Sequence, residues 1–225
     1  DESTTPLLVV GPAGSGRTSV LANWVDRRLT GDERVVFHFA GASDQSGSWI
    51  STLQRLTAEL ASELGEDPDV TLEPGPVRRA FASAIHRAGR LGPVTVVVDG
   101  VDELADLEAP LGLAWLPPST PANVRLVVST TPEFAGTARE TEGWPRLTLD
   151  PLEPDEQRRL VVDRLARFGK RLASTHIERL VGSGTFTNPL YATTLLDELR
   201  VEADHAHLDE TIDHYLRAGD VGELL

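Results

Sequence analysis

Cysteine is missing from all 225 residues. Its absence excludes disulfides, thiolate chemistry and a cysteine zinc site, and agrees with a reducing cytoplasm. Methionine is missing as well, even at position 1, and the chain runs from DESTT straight into its first apolar stretch. Both features lead us to expect a domain cut from a longer protein. Aromatic residues make up only 5% and lysine is scarce. Beside the abundance of Ala, Arg, Asp and Gly, this leans towards a high-GC bacterial source. No apolar run approaches the ~20 residues that a membrane-spanning helix needs, and no signal peptide is visible. Positive charge is in deficit: 21 basic residues face 35 acidic ones, for a net charge of −14. That balance excludes a broad electrostatic footprint for nucleic acid or an anionic membrane, but not a local basic pocket.

What is present suits one large domain, or a domain with a small satellite. Short β-branched runs alternate with longer helical patterns. Strands are expected at Leu7–Val10, Val35–Ala40, Val94–Asp99, Val124–Ser129 and Arg146–Leu149. Between them, helices are expected at Thr18–Leu29 and Ser48–Leu64. The first has Val20, Leu21, Trp24, Val25 and Leu29 on one side; the second carries a stripe of Ile50, Leu53, Leu56, Leu60 and Leu64. Residues 67–76, with three prolines, read as a loop before a helix at Val77–Leu91. This alternation implies right-handed crossovers and a parallel α/β sheet with helices on both faces, whose ligands bind at the carboxyl ends of the strands. The pattern changes at DPLEPDE (150–156). Beyond it only helices are expected, at 155–168, 174–182, 189–203 and 207–218. The expected organisation is a nucleotide-binding domain over 1–150 and a helical lid domain over 151–225.

The chemistry is concentrated in GPAGSGRTS. Gly11, Pro12, Ala13, Gly14, Ser15, Gly16, Arg17 and Thr18 fit the phosphate-loop pattern G-x-x-x-x-G-K-[ST] except at Arg17, and Ser19 lies beside them. Glycines let main-chain N–H groups turn inward around phosphate oxygens, and the following helix aims its positive end at the same place. The Thr18 hydroxyl suits Mg²⁺. The bland alternative is a Gly/Ser-rich turn with an ordinary arginine, but a strand before the segment and a helix after it favour the phosphate reading. Arg17 keeps the charge and can reach two oxygens at once, yet it is bulkier than lysine. It is expected to preserve nucleotide binding and to slow phosphoryl transfer.

A second cluster follows in VTVVVDGVDEL (94–104). The strand delivers Asp99 to its carboxyl end, where a carboxylate can hold Mg²⁺. Asp102 and Glu103 come next. Either could polarise an attacking water, and Glu103 is slightly preferred. The next strand ends in VVSTTPE, whose polar residues Ser129, Thr130 and Thr131 would face the γ-phosphate side of the cleft.

Together with TFTNPLYATTLLDELR these segments resemble the NACHT family, a branch of the STAND class of signal-transducing P-loop ATPases. VVFHFAGAS, and LDPLEPDEQRRLVVDRLARFGKRL leading into NPLYA, are similar to its nephrocystin and telomerase-associated subgroup. The resemblance implies a P-loop NTPase core with a five-stranded parallel sheet, in which the Walker B strand lies between the P-loop strand and others. It also implies a helical lid whose Pro189, next to Asn188, approaches the adenine. ATP or ADP with Mg²⁺ are the implied cofactors. Effector and sensor domains of the same longer chain, and self-association in the ATP state, are the implied partnerships. Thr131 stands where related switches often carry a phosphate-sensing arginine.

The resulting expectation is a cytoplasmic regulatory switch with slow ATPase activity, bacterial and of use in defence. The rival reading is a pseudo-ATPase scaffold. A metabolic phosphotransferase is weaker still, because no residues for an acceptor pocket are visible. Asp204-His205-Ala206-His207 is set aside as a metal site, since residues two apart do not share a helix face. The arginine-rich stretch 157–171 reads as a packed helix with a charged outer face. Trp24, Trp49, Trp115 and Trp144 read as core or seam residues.

Overall fold

The structure, a computed structural model, describes residues 3–31, 33–42, 47–67, 71–104, 112–202, 207–219, 221–222 and 224. It divides into two compact units. One comprises residues 1–12 and 17–149; the other comprises 150–225 together with the short loop Ala13–Gly16.

Among the described residues, the strands all belong to the first unit. In chain order they are β1 (Ser3–Thr4), β2 (Leu7–Val10), β3 (Arg34–Phe39), β4 (Val94–Asp99), β5 (Thr120–Pro121), β6 (Val124–Thr130) and β7 (Arg146–Thr148). Five of them form the main sheet, in the order β3-β4-β6-β2-β7, and all its pairings are parallel. Alternate side chains go to opposite faces. On one face Val9, Val35, Val97 and Val127 meet Leu21 and Val25 of α1 (Arg17–Leu29). On the other, Leu8, Val10, Val96, Val98, Leu126 and Val128 share a core with Leu53, Leu56 and Leu60 of α2 (Trp49–Glu63) and with Phe81 and Ile85 of α3 (Pro74–Leu91). Every residue of β4 is buried. A strand covered on both sides reads as a continuous apolar run, as VTVVV does. Each valine removed from water there contributes roughly 1.5–3 kcal/mol.

Several details differ from expectation. On α1, Val20 and Leu29 are about half exposed; its buried apolar residues are Leu21 and Val25. Residues 67–76 are not wholly loop: α3 begins at Pro74, and prolines suit a first helical turn, where no N–H is needed. The strands β1 and β5 pair antiparallel over two residues, too short a stretch to show in a hydrophobic pattern. A further helix, α4 (Pro132–Thr137), follows β6. Its N-cap is Thr131, whose hydroxyl accepts from the Phe134 N–H. Trp49 and Trp115 pack with ring centroids 6.1 Å apart, and Trp144 is buried too. Trp24 lies at the edge of the core: it is half buried, packs against the cluster around Leu21 and Val25, and carries the Arg28 guanidinium 4.4 Å from its ring centroid.

The second unit holds α5 (Pro154–Ala166), α6 (Ser174–Val181), α7 (Pro189–Glu202) and α8 (Leu208–Leu216). Its core gathers Val161, Leu180, Phe186, Leu195, Leu196 and Ile212. Tyr191 is buried there, and its hydroxyl lies 2.8 Å from the Tyr215 carbonyl and 3.0 Å from that of Ala218, to which it donates. The arginine-rich stretch does not stay helical to 171: α5 stops at Ala166, and Gly169 turns with φ +67°. Arg158 and Arg164 pair with Glu178 and Asp197. Residues 203–206, which hold most of the set-aside histidine segment, lie outside the described residues; His207 precedes α8.

Candidate functional site

The carboxyl ends of the strands carry the charged residues. β2 ends at Val10, and the Gly11 N–H donates to the Thr130 carbonyl (3.2 Å), which ties the start of the glycine loop to the end of β6. Arg17 and Thr18 open α1, placing both side chains at the positive end of the helix. β4 ends at Asp99, and the turn Val101–Glu103 follows Gly100, whose φ of +69° is the left-handed conformation that glycine adopts freely.

Hydrogen bonds knit these residues together. Thr18 Oγ1 donates to Asp99 Oδ2 at 2.6 Å. Ser129 Oγ donates to the other Asp99 oxygen and accepts from the Gly100 N–H at 2.9 Å. Asp99 is only 2% exposed, so both of its oxygens are committed to hydroxyls. Arg17 is 8% exposed and grips Asp102 at two points, Nη1 to Oδ1 at 3.0 Å and Nη2 to Oδ2 at 3.4 Å. Its Nη2 is also 4.0 Å from Glu103 Oε1. Glu103 remains half exposed. Its carboxyl is pushed above the ordinary range, first by loss of surrounding water and then by the neighbouring Asp102 charge, against the pull of Arg17.

The structure therefore joins Arg17, Thr18, Asp99, Asp102 and Glu103 in one cluster. Thr130, fully buried at the end of β6, keeps a hydroxyl with no hydrogen-bond partner. Ser19 lies exposed on α1, with its carbonyl accepting from the Asn23 side chain at 2.7 Å. Ser129 reads in the sequence as one polar residue at a strand end. Neither its place beside Val9 in the sheet nor its bond to Asp99 has a signal in the spacing.

In the second unit, the loop residues Ala13–Gly16 are held by the start of α7. Asn188 Nδ2 donates to the Ala13 carbonyl at 2.9 Å, and the Leu190 N–H donates to the Gly14 carbonyl at 3.1 Å. Asn188 Oδ1 accepts from the N–H groups of Leu190 and Tyr191, capping the helix. Gly14 has φ +76°, and a Cβ there would come within 2.6 Å of Asn188 Oδ1. Gly16 has φ +90°. A cavity of about 430 Å³ in this unit is lined by residues including Ala13, Gly14, Thr185, Asn188, Tyr191 and Val221. Asn188 and Leu190, on either side of Pro189, line it, whereas Pro189 does not. Ser15 Oγ is buried and has no hydrogen-bond partner.

These features fit a phosphate-bearing ligand with a divalent cation. In the first unit, a hydroxyl–carboxylate pair supplies hard oxygen ligands and the Thr130 hydroxyl is orphaned. In the loop, Gly14 and Gly16 hold left-handed conformations and Ser15 carries a second orphaned hydroxyl. Thr18 and Asp99 would hold Mg²⁺ alongside phosphate oxygens. Among the described residues, no group of three His, Asp or Glu side chains could hold a metal ion by itself. No described helix is long and apolar enough to cross a membrane. β6 separates β4 from β2, so the strand bearing Asp99 is not the direct neighbour of the strand that feeds the loop.

The P-loop architecture is shared with solved proteins. The Walker-type ATPase PABY2304 of Pyrococcus abyssi superposes with a TM-score of 0.57 at 14% identity, over 93% of this chain and 67% of that one. A variant of Thermotoga maritima RuvB gives 0.51 at 17% identity, over 94% and 62%. At such identities the likeness concerns the fold alone. In sequence, human nephrocystin-3 is 28% identical over 224 residues, which is 96% of this chain and 16% of that protein. Mouse telomerase protein component 1 is 29% identical over 227 residues, 91% of this chain and 8% of the relative. The chain thus spans under a fifth of the length of these relatives. A family model described as the AAA ATPase domain matches residues 1–129, more than half of the chain. With its phosphate loop, its parallel sheet and the carboxylate at the end of β4, the chain is a nucleotide-binding module that belongs to the AAA ATPase domain family of P-loop NTPases.

Proposed function

We propose that this chain is the cytoplasmic nucleotide switch of a larger signalling protein, of the NACHT type within the STAND class. It binds ATP or ADP with Mg²⁺ and hydrolyses ATP slowly. The observation that carries this reading is the cluster at the strand ends, where Thr18 meets Asp99 and Arg17 meets Asp102. The metal ion would neutralise charge on the phosphates. The residues of the chain do the rest. Main-chain N–H groups of 13–16 and the Arg17 guanidinium bind phosphate, Ser129 orients Asp99, and Glu103 positions and deprotonates the attacking water. The raised proton affinity of Glu103 favours that role. The relatives it matches are several times longer, which leaves room for the proposed effector and sensor domains of the same longer chain; self-association in the ATP state completes the proposal. The lysine-poor, arginine-rich composition supports a bacterial source, with defence as the proposed setting. The charge of −14 speaks against nucleic acid as a partner.

A second reading, a pseudo-ATPase scaffold, is favoured by one feature: Arg17 is already committed to Asp102. Calorimetric titration of the nucleotide-stripped chain with Mg·ATP and Mg·ADP separates the two. Micromolar binding, weakened at least about tenfold in Arg17→Ala, supports the switch. A folded chain that binds neither nucleotide sinks the switch and leaves the scaffold.

A further inference from the structure

We infer that Asp102 is an internal competitor for Arg17: the carboxylate occupies the guanidinium fork that a nucleotide phosphate must take, so that binding is coupled to release of the 101–103 turn. This deepens the switch reading and rests on it.

The geometry sets the competition. A guanidinium recognises phosphate best through two parallel N–H groups. Both terminal nitrogens of Arg17 are engaged by the two oxygens of one carboxylate, at 3.0 and 3.4 Å. The pair is largely out of water, with the side chains 8% and 13% exposed. Burial raises the cost of leaving either charge alone, so Arg17 gives up Asp102 only when another anion replaces it. A phosphate is such an anion. A lysine in the same place would present one ammonium rather than a planar fork, and could not match both oxygens of Asp102 in this way.

The consequence concerns Asp102 itself. Asp99 has its own partners, Thr18 and Ser129, and does not need Arg17. Glu103 lies 4.0 Å from the guanidinium, beyond hydrogen-bond reach. Asp102 is the residue whose partner changes with occupancy. It is therefore a positioning residue, acting through Arg17 and through the turn that carries Glu103. Freed from Arg17, it leaves that turn able to rearrange, which is a local route from an occupied phosphate loop to the rest of the core.

The test compares Asp102→Asn with Glu103→Gln in the 225-residue chain. ADP and inorganic pyrophosphate are titrated by calorimetry, and melting is followed without ligand and with saturating ADP. Asp102→Asn should bind both ligands about tenfold more tightly than wild type, because the competitor is gone. Its melting temperature should fall in the free protein and recover with ADP, since the phosphate then satisfies Arg17. Glu103→Gln removes the same charge from the same turn while sparing the fork, and should gain severalfold less affinity than Asp102→Asn. Unchanged or weaker ADP binding by Asp102→Asn, against a wild type that binds, overturns the inference and spares the nucleotide reading. An equal gain in Glu103→Gln also overturns it, because plain charge repulsion would then suffice. No binding by wild type or variant sinks the nucleotide reading itself, and the inference with it. If Asp102→Asn does not fold, Asp102→Glu keeps the charge but moves the carboxylate by a methylene. It should still tighten ADP binding severalfold, and an unchanged affinity overturns the inference.

Discussion

At its C-terminal end the glycine loop runs into Arg17 and Thr18, whose side chains meet the largely buried carboxylates of Asp102 and Asp99. At Ala13 and Gly14 it is held instead through its carbonyls, by Asn188 and Leu190. The first arrangement is charged, mostly out of water and made by side chains with defined alternatives. The second is neutral, partly exposed and uses main-chain groups that every residue has. Groups of the first kind can change partners when a ligand arrives; groups of the second kind mainly fix a shape. On the proposal made above, one short loop would combine a responsive end with a fixed end.

The largest effect should come from breaking the buried end. Ser129 is fully buried and satisfies both an Asp99 oxygen and the Gly100 N–H. Ser129→Ala leaves a buried carboxylate oxygen and a buried amide without partners. We expect a loss of about 2–3 kcal/mol in denaturant unfolding of the first unit. The variant should also show weaker dependence of nucleotide binding on Mg²⁺, because Asp99 is no longer held. A stability loss below about 0.5 kcal/mol would mean that water replaces the hydroxyl there.

The fixed end should give a smaller response. Asn188→Ala removes the cap of α7 and the bond to the Ala13 carbonyl, at a site open enough for water to take over. A loss of about 1 kcal/mol is expected. Faster hydrogen exchange at the Leu190 and Tyr191 amides would localise it. A loss as large as that of Ser129→Ala would erase the distinction between the two ends.

The contrast also shows what a sequence discloses. The sheet was legible because VTVVVD and VRLVVS are apolar runs of strand length bounded by turn residues. The phosphate loop was legible because its glycines sit between a strand and a helix. Thr18 and Asp99 followed from that frame, and the structure places them in hydrogen-bond contact at 2.6 Å. The partners that join distant segments were not legible. Nothing in the spacing of Arg17 and Asp102, 85 residues apart, states that one fork grips the other. Ser129 is one polar residue among three, and no local rule singles it out. Thr131 carries a cleaner local signal than a place in the cleft, since Thr-Pro-Glu is a helix start with its cap, proline and acidic first turn.

A surface pair in the second unit calibrates the comparison and should give the smallest effect. Arg158, on α5, holds both oxygens of Glu178, on α6, at 2.7 Å each. The hydrogen bonds from Arg158 hold the Glu178 carboxyl below its usual range, against a smaller opposing loss of surrounding water. A lowered value in the folded state means stability that is present above the unfolded value of about 4.3, and is lost as pH falls through the folded value. Glu178→Gln should therefore lower the melting temperature by about 1–2 °C at pH 7. The gap between variant and wild type should narrow as the pH is taken below the ordinary glutamate range. Nucleotide affinity should not move, since the pair touches neither end of the loop. A gap that stayed constant with pH would assign the effect to packing of the arginine stem rather than to charge. A change in affinity would mean that the two kinds of contact are less separate than their chemistry implies.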